Sequence, residues 1–398
     1  MRAAVRLLSL ITGGARFAGL GAVGLLIPGA ITAAPAKEDP HQPVGSRTPH
    51  EIVELASGLS RPWSLSFLPD GSALITERSG GLRVFRKGVL DPKPVAGLPG
   101  VFRAAEGGLL GLEVDPAFAT NRTIYLCITR GSAAANASAI LRARYDGQAL
   151  TEQRVIFEAR PLKDREQHFG CRLLFAPDGT LLMSVGDGYH FRDQAIALNS
   201  HLGKVLRLRT DGGVPPDNPY RGHASARPEI FTSGHRNMQG MAVRPGTREV
   251  WVHEHGPRGG DEINVLRPGA NYGWPAVTFG IDYSGEPISP RARAAQFELP
   301  RYYWVPSIAP SGMAFYDGDR FPEWRGDLFV GALAGKSLRR LDIEGSWIVG
   351  EEILLAALAE RIREVKAGPD GFLYLLTDAA NGKLLRIQPL EKRGGATP

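Results

Sequence analysis

The sequence predicts an all-β fold, a six-bladed β-propeller with long loops on its active-site face. Three observations lead there. One strand–turn–strand unit recurs six times, its flanks are rich in Val, Ile, Leu, Phe and Tyr, and convincing amphipathic helices are scarce. In each turn Pro presets a backbone angle, Asp bonds its own main chain and Gly supplies a positive φ, so the turn has a mechanism. Units of several strands repeating every roughly 45 to 75 residues stack as propeller blades. A β-sandwich with long hairpins accommodates the strands but not the six recurrences.

The N-terminus comes first. Arg2 and Arg6 precede an apolar, Gly/Ala-rich run from Leu7 to Ile31, which ends in small residues around Ala34 and Ala36. This is the pattern of a secretory signal peptide over 1–36. Arg16 and several glycines interrupt the run, which argues against a spanning helix and stable membrane insertion. No twin-arginine pair is present, so general secretion to the periplasm or beyond is expected. Residues 37–49 read as a linker, 50–390 as the propeller and 391–398 as a tail. Residues 1–36 carry three arginines and no acid, so their removal lowers the net charge from +6 to +3. That mild excess, without basic runs interleaved with aromatics, gives no sign of nucleic-acid binding. Two cysteines, Cys127 and Cys171, exclude a disulfide framework. They can pair in an oxidising compartment or remain buried thiols.

The six units follow in order, and polar residues recur at their ends. "SLSFLPDGSALITE" (64–77) is the first. "LGLEVDPAFATNRTIYLCIT" is the second, preceded by Glu106 beside a glycine pair. The third, "REQHFGCRLLFAPDGTLLMSVGDG", has His168 before its strands and Asp187 beyond them. "GMAVRPGTREVWVHEH" is preceded by His235, Arg236 and Asn237 and followed by a Gly256-Pro257 turn. "GMAFYDGDRFPEWRGDLFVGAL" runs into Ala334-Gly335-Lys336. "EVKAGPDGFLYLLTD" is preceded by Arg361 and Arg363, which alternate and so share one side of a strand. Any one of these residues alone reads as a solvated rim group. Residues that start inner strands face a propeller's central channel, and together they line it with several cations and a histidine. A small polyanion is the natural occupant.

The stretches "HFGCRLLFAPDG", "VGDG", "LGKVLRLRTDGGVPPDNP", "SGHRNMQGMA", "HGPRGGDEINVLRPGANYGWP" and "PSIAPSGMAFY" closely resemble the soluble sugar dehydrogenases that use pyrroloquinoline quinone (PQQ), the glucose/sorbosone dehydrogenase family. Within it they are most similar to the periplasmic aldose sugar dehydrogenases. The resemblance covers about residues 50 to 390 and implies a six-bladed propeller, in agreement with the repeat count. It also implies PQQ, a tricarboxylated ortho-quinone, as cofactor, with oxidation of an aldose at C1 to a lactone. By this similarity His168 is the general base for the C1 hydroxyl and Asp187 holds its imidazole. Arg236 stabilises charge developing on the quinone oxygens, with Asn237 beside it. Arg361 and Arg363 match the pair that grips cofactor carboxylates. Glu106, Gln194, Tyr283, Ala334, Gly335 and Lys336 match further cofactor contacts. Gly256 and Pro257 would offer carbonyls to a catalytic Ca²⁺, and Glu262 with the Tyr272 carbonyl resembles a second, structural calcium site. An external electron acceptor (a quinone, cytochrome or dye) is implied, and the protein is expected as a monomer or homodimer.

The chain departs from the glucose enzymes at two positions, with Glu106 where they have glutamine and Ala334 where they have lysine. A glutamine donates, whereas an ionised glutamate only accepts. Glu106 is therefore expected either to be protonated by burial or to turn toward an arginine or the sugar. Tyr303 and Trp304 stand as candidates for sugar contact, with a core role equally open. Two other functions compete: a calcium-dependent propeller lactonase, which needs carboxylates converging on one metal, and a non-catalytic ligand-binding propeller.

Overall fold

The computed structural model describes residues 43–103 and 105–390, so the expected signal peptide (1–36) and tail (391–398) lie outside the described residues. The described chain forms six sheets, five antiparallel ones of four strands and one of five. Their inner strands are Pro62–Phe67, Leu109–Val114, Leu173–Phe175, Met238–Val243, Pro310–Phe315 and Ile362–Ala367. Each opens one of the six repeats, and in chain order they neighbour one another around a closed ring. The architecture is a six-bladed β-propeller, as the repeats require.

The ring closes by strand exchange. His50–Leu59 forms the outer strand of the last blade, antiparallel to Gly382–Pro389 with Ile52 opposite Ile387. The two ends of the propeller are thereby held in one sheet. Within the stretch expected as a linker, Val44–Gly45 adds a fifth strand, parallel to Trp347–Leu354 of the fifth blade. Trp324 Nε1 donates to Thr48 Oγ1 at 3.0 Å and anchors the same segment.

Apolar side chains gather in six clusters, one between each pair of adjacent blades. This follows from strands with two buried faces, each packing on a neighbouring blade. The centre of the ring is left to polar groups. There Arg172 donates to Glu364 at 2.5 Å and to the Gln239 carbonyl at 2.8 Å, and its guanidinium lies over the Trp63 ring. Cys127 and Cys171 form a disulfide that ties the second blade to the segment entering the third. Of the two alternatives the cysteines left open, pairing is the one realised.

Candidate active site

A cavity of about 450 Å³ opens where all six inner strands begin. It falls within the usual size range of small-molecule sites. Its wall combines residues at or shortly before the starts of inner strands with residues just past the ends of the strands that follow them, among them Trp63, His168, Arg236, Leu333, Arg363 and Asp378. A second chamber of about 440 Å³, walled by Tyr189, His190, Trp274 and Asp282, shares Arg236 and Tyr283 with it.

His168 is 6 % exposed and sits in left-handed backbone, φ 50°. Gly170 and Cys171 are also left-handed, at φ 64° and 70°, so the segment entering the third blade is coiled tightly. A non-glycine residue held there costs on the order of 1–3 kcal/mol and persists where its surroundings fix it. Here they do. The Glu106 carboxylate accepts the His168 main-chain N–H at 2.8 Å, and Asn237 Oδ1 accepts that of Gly170 at 3.1 Å. Gly186 is required opposite, because a Cβ on it would stand 2.2 Å from the His168 carbonyl oxygen.

The ring is held as firmly as the main chain. His168 Nδ1 lies 2.6 Å from Asp187 Oδ1, which also accepts the Tyr189 main-chain N–H at 2.8 Å. Asp187 Oδ2 accepts the indole N–H of Trp274 at 2.8 Å. A fully buried carboxylate met only by donors fixes the imidazole's tautomer: Nδ1 carries the proton, and Nε2 presents a lone pair to the cavity. Trp274, to which the sequence analysis assigned no role, lies 87 residues from Asp187 and meets it only in the fold.

Arg236 is the hinge between the chambers. Its guanidinium donates to the His255 and Gly256 carbonyls at 3.1 and 3.0 Å and lies 5.5 Å from the Trp274 ring. Its main-chain N–H is taken by Glu254, whose other oxygen accepts His235 Nδ1–H at 2.8 Å. His255, half-buried in the cavity wall, gives Nε2–H to the Pro310 carbonyl, and desolvation pushes its proton affinity well below the usual histidine range. It stays neutral.

Across the cavity Arg361 and Arg363 converge on Asp378 Oδ2, at 2.9 and 3.1 Å. Arg361 also donates to the Leu333 carbonyl and Arg363 to Gln239. Burial works to raise the Asp378 carboxyl, but Arg363, Arg361 and Arg78 hold it below the ordinary range. Arg61 and Arg78 complete the cationic wall. Arg363 Nε is buried without a partner. Five arginines against the carboxylates Glu106 and Asp378 make a receptor for a polyanion.

The expected residues are therefore brought together in large part. His168, Glu106, Arg236, Asn237, Tyr283, Arg361 and Arg363 line the main cavity, with Asp187 directly behind His168. Ala334, Gly335 and Lys336 follow its wall residue Leu333 without lining it themselves. Gln194 lies on a short 3-10 turn, Arg192–Ala195, outside both chambers, and its carbonyl accepts the Lys204 ammonium. One oxygen of the Glu106 carboxylate accepts the His168 main-chain N–H, a contact that neither alternative expected for it included. Tyr303 and Trp304 line neither chamber. Tyr303 stacks on Phe279 at 4.1 Å on the outer side of the fourth blade, and buried Trp304 donates to Glu351. Both follow from strand Tyr302–Trp304 being the outermost of its sheet.

The metal candidates divide. Gly256 and Pro257 offer main-chain oxygens only, and the Gly256 carbonyl already accepts from Arg236. Two carbonyls are a fraction of the six to eight oxygens Ca²⁺ takes, so this position fits the ion only with a ligand that brings oxygens of its own. Around Glu262 the donor set is fuller. Burial, and then the adjacent Glu254, push the Glu262 carboxyl well above its usual range. Asn264 Nδ2 reaches both carboxylates at 3.3 Å, while its Oδ1 is buried without a partner. Two crowded carboxylates and an orphaned carbonyl oxygen suit a cation. Tyr272 stacks on His235 beside them, 4.6 Å between centroids. No group of three or more His, Cys, Asp or Glu is poised for a metal among the described residues.

Comparison with known proteins adds the family. Residues 59–386 match the Glucose / Sorbosone dehydrogenase family model. The chain is 41% identical over 345 residues to Aldose sugar dehydrogenase YliI of Escherichia coli, covering 85% of this chain and 92% of that protein. A solved glucose dehydrogenase superposes with a TM-score of 0.82 at 47% identity, over 84% of this chain and 99% of the other. The PQQ-bound aldose sugar dehydrogenase from Streptomyces coelicolor gives 0.71 at 26% identity, over 85% and 98%.

Proposed function

This chain belongs to the glucose/sorbosone dehydrogenase family, and from that premise we propose that it is an aldose dehydrogenase that oxidises sugars at C1 to lactones with PQQ and Ca²⁺. The observation that carries the reading is the opening of an oriented His168–Asp187 pair into a cavity walled by five arginines. PQQ, when bound, supplies an ortho-quinone able to accept the hydride from C1.

The chain's own residues do the rest. His168 Nε2 takes the proton of the C1 hydroxyl, while Asp187 and Trp274 keep the ring in the required tautomer and stabilise its positive charge. Arg361, Arg363 and the unpartnered Arg363 Nε would hold cofactor carboxylates, and Arg236 would meet negative charge as it develops. Gly256 and Pro257 would complete a calcium shell begun by the cofactor, and Glu254, Glu262, Asn264 and the Tyr272 carbonyl would hold a second ion. The aldose would enter through the outer chamber, whose Tyr189, Trp274 and Tyr283 suit a sugar ring. Export to the periplasm or beyond is part of the proposal; the Cys127–Cys171 disulfide suits an oxidising compartment. No helix of the described residues is long and apolar enough to cross a membrane.

The test is direct. Purified protein given PQQ and Ca²⁺ together should bleach a redox dye when an aldose is added, and neither addition alone should suffice. Full activity after exhaustive chelation, or with a nicotinamide cofactor, would reject the proposal.

A further inference from the structure

Lys163 lies outside every motif considered so far, yet it packs against the chain neighbours of both members of the base pair, Phe169 and Gly188. It is 3 % exposed. Its ammonium lies 3.4 Å from the ring centroid of Phe169, the residue after His168. Its stem passes Gly188, the residue after Asp187, so closely that a Cβ there would stand 2.9 Å from Lys163 Cδ. The position is fixed from the second blade, where Asn136 exchanges both main-chain hydrogen bonds with Lys163, at 2.8 and 2.9 Å. Asn136 Oδ1 also accepts one ammonium proton at 3.0 Å, and the Arg165 carbonyl accepts another.

The charges that act most strongly on this ammonium are carboxylates. Glu106 acts on it most strongly, then Asp187, with Glu166 and Asp164 behind. The first two are the side chains that hold His168, one by its main-chain N–H and the other by its ring. Carboxylates in contact with an imidazole favour its protonated form, and a base that already carries a proton cannot accept another. A cation behind both carboxylates opposes that pull without touching Nε2.

We propose that Lys163 is a positioning residue for proton transfer, its ammonium offsetting Glu106 and Asp187 so that His168 remains unprotonated and able to accept the substrate's proton below neutral pH. The proposal rests on the reading of His168 as the base. Burial brings the Lys163 ammonium down to about 7, so the charge is present on the acid side, where His168 needs it, and fades above neutrality. Lys204 is the contrast. Burial brings it to about 7 as well, but its three protons go to the Gln194, Ala195 and Leu202 carbonyls, and no carboxylate acts on it. That arrangement caps a loop.

The test compares Lys163→Met, which keeps the stem against Phe169, with Lys163→Arg, which keeps the charge. In cofactor-free protein, the ring resonances of His168, assigned through His168→Gln, are followed against pH by NMR. The doubly protonated ring should persist to higher pH in Lys163→Met than in wild type, and Lys163→Arg should restore the wild-type curve. Superimposable curves in all three would overturn the proposal. In reconstituted enzyme, kcat/KM at pH 6 should fall about tenfold in Lys163→Met, the equivalent of one unit of proton affinity. At pH 9, where wild-type Lys163 is also neutral, the two should agree within about twofold. An equal loss at both pH values marks a packing defect and overturns the proposal. A shifted NMR curve with unchanged kinetics at pH 6 would instead overturn His168 as the base.

Discussion

The two sides of the cavity are built differently. On the His168 side the groups that hold the base are paired within the protein: Nδ1 has Asp187, Asp187 has Trp274 and Tyr189, and the main-chain N–H has Glu106. On the Arg361 side two guanidiniums share one oxygen of Asp378, Arg361 is half exposed, and the Nε of Arg363 has nothing to donate to. The first side is complete without a ligand. The second is complete only with one, since Asp378 satisfies a fraction of the donors around it. Orientation is therefore invested where a proton must move, and surplus positive charge where an anion must be held.

If that contrast is right, changes on the two sides should fail in different ways. The largest effect is expected from His168→Ala, which should slow cofactor reduction by about 10²–10⁴, the worth of a positioned base, while leaving PQQ affinity unchanged. Single-turnover reduction at the wild-type rate would return His168 to a structural role. Arg361→Ala should weaken PQQ binding by roughly 10- to 100-fold, the cost of a hydrogen bond to a charged group. In Arg361→Ala saturated with PQQ, turnover should be close to normal. Titration of the cofactor alongside kcat measures both, and a kcat loss with unchanged affinity would mean that the sides have been assigned in reverse.

The sequence carried the fold because each repeat has its own turn chemistry, and six local signals add up to one ring. It carried less of the site. Arg236, Arg361 and Arg363 stand at or just before the starts of inner strands and His168 five residues ahead of one, places the repeat made readable. Asp378 was equally readable and missed. Four of the six repeats put a carboxylate at or just past the end of their second strand, namely Glu77, Asp187, Glu254 and Asp378, and each anchors a cation, an imidazole or a main-chain amide at the cavity's edge. Aligning the blades with one another would have found it. Trp274 and Lys163 had no such signal, because they come from loops, one within the fourth blade and one between the second and third, and their roles depend on contacts between blades. The choice between sugar contact and a core role for Tyr303 and Trp304 stayed open because strand order within a sheet, which decides inner from outer, is invisible in a short apolar run.

The buried side also has a thermodynamic signature that the open side lacks. The ammonium of Lys163 is held at about 7, against 10.5 for the free side chain. Below pH 7 both folded and unfolded states carry the proton, and this group contributes no slope. Between about 7 and 10.5 the unfolded chain binds more protons than the folded one. Stability should therefore rise with pH across that window, by up to about 1.4 kcal/mol per unit for one such group. Denaturant unfolding at pH 8, 9 and 10 should show the slope reduced in Lys163→Met and unchanged in Arg361→Ala. Equal slopes in wild type and Lys163→Met would mean that Lys163 keeps its proton in the fold.

The smallest effect is expected from Glu106→Gln, and its sign is the informative part. The Glu106 carboxylate accepts the main-chain N–H of His168, which holds that residue in left-handed backbone. Glutamine keeps an oxygen at the same reach, so the bond and the backbone should survive. What is lost is one negative charge beside the base. With Asp187 alone favouring the protonated imidazole, His168 should give up its proton at lower pH, and the acid limb of kcat/KM should move down. That is the direction opposite to Lys163→Met. At pH 8 the two proteins should differ by less than about threefold, and KM for the sugar should be unchanged. Glu106→Ala serves as the control, since it removes the charge and the acceptor together. A buried N–H left unpaired costs about 1–3 kcal/mol, so kcat should fall in Glu106→Ala at every pH. An acid limb that stays in place in Glu106→Gln would mean that Glu106 serves His168 through the backbone alone. A rise in sugar KM would mean that its carboxylate meets the substrate.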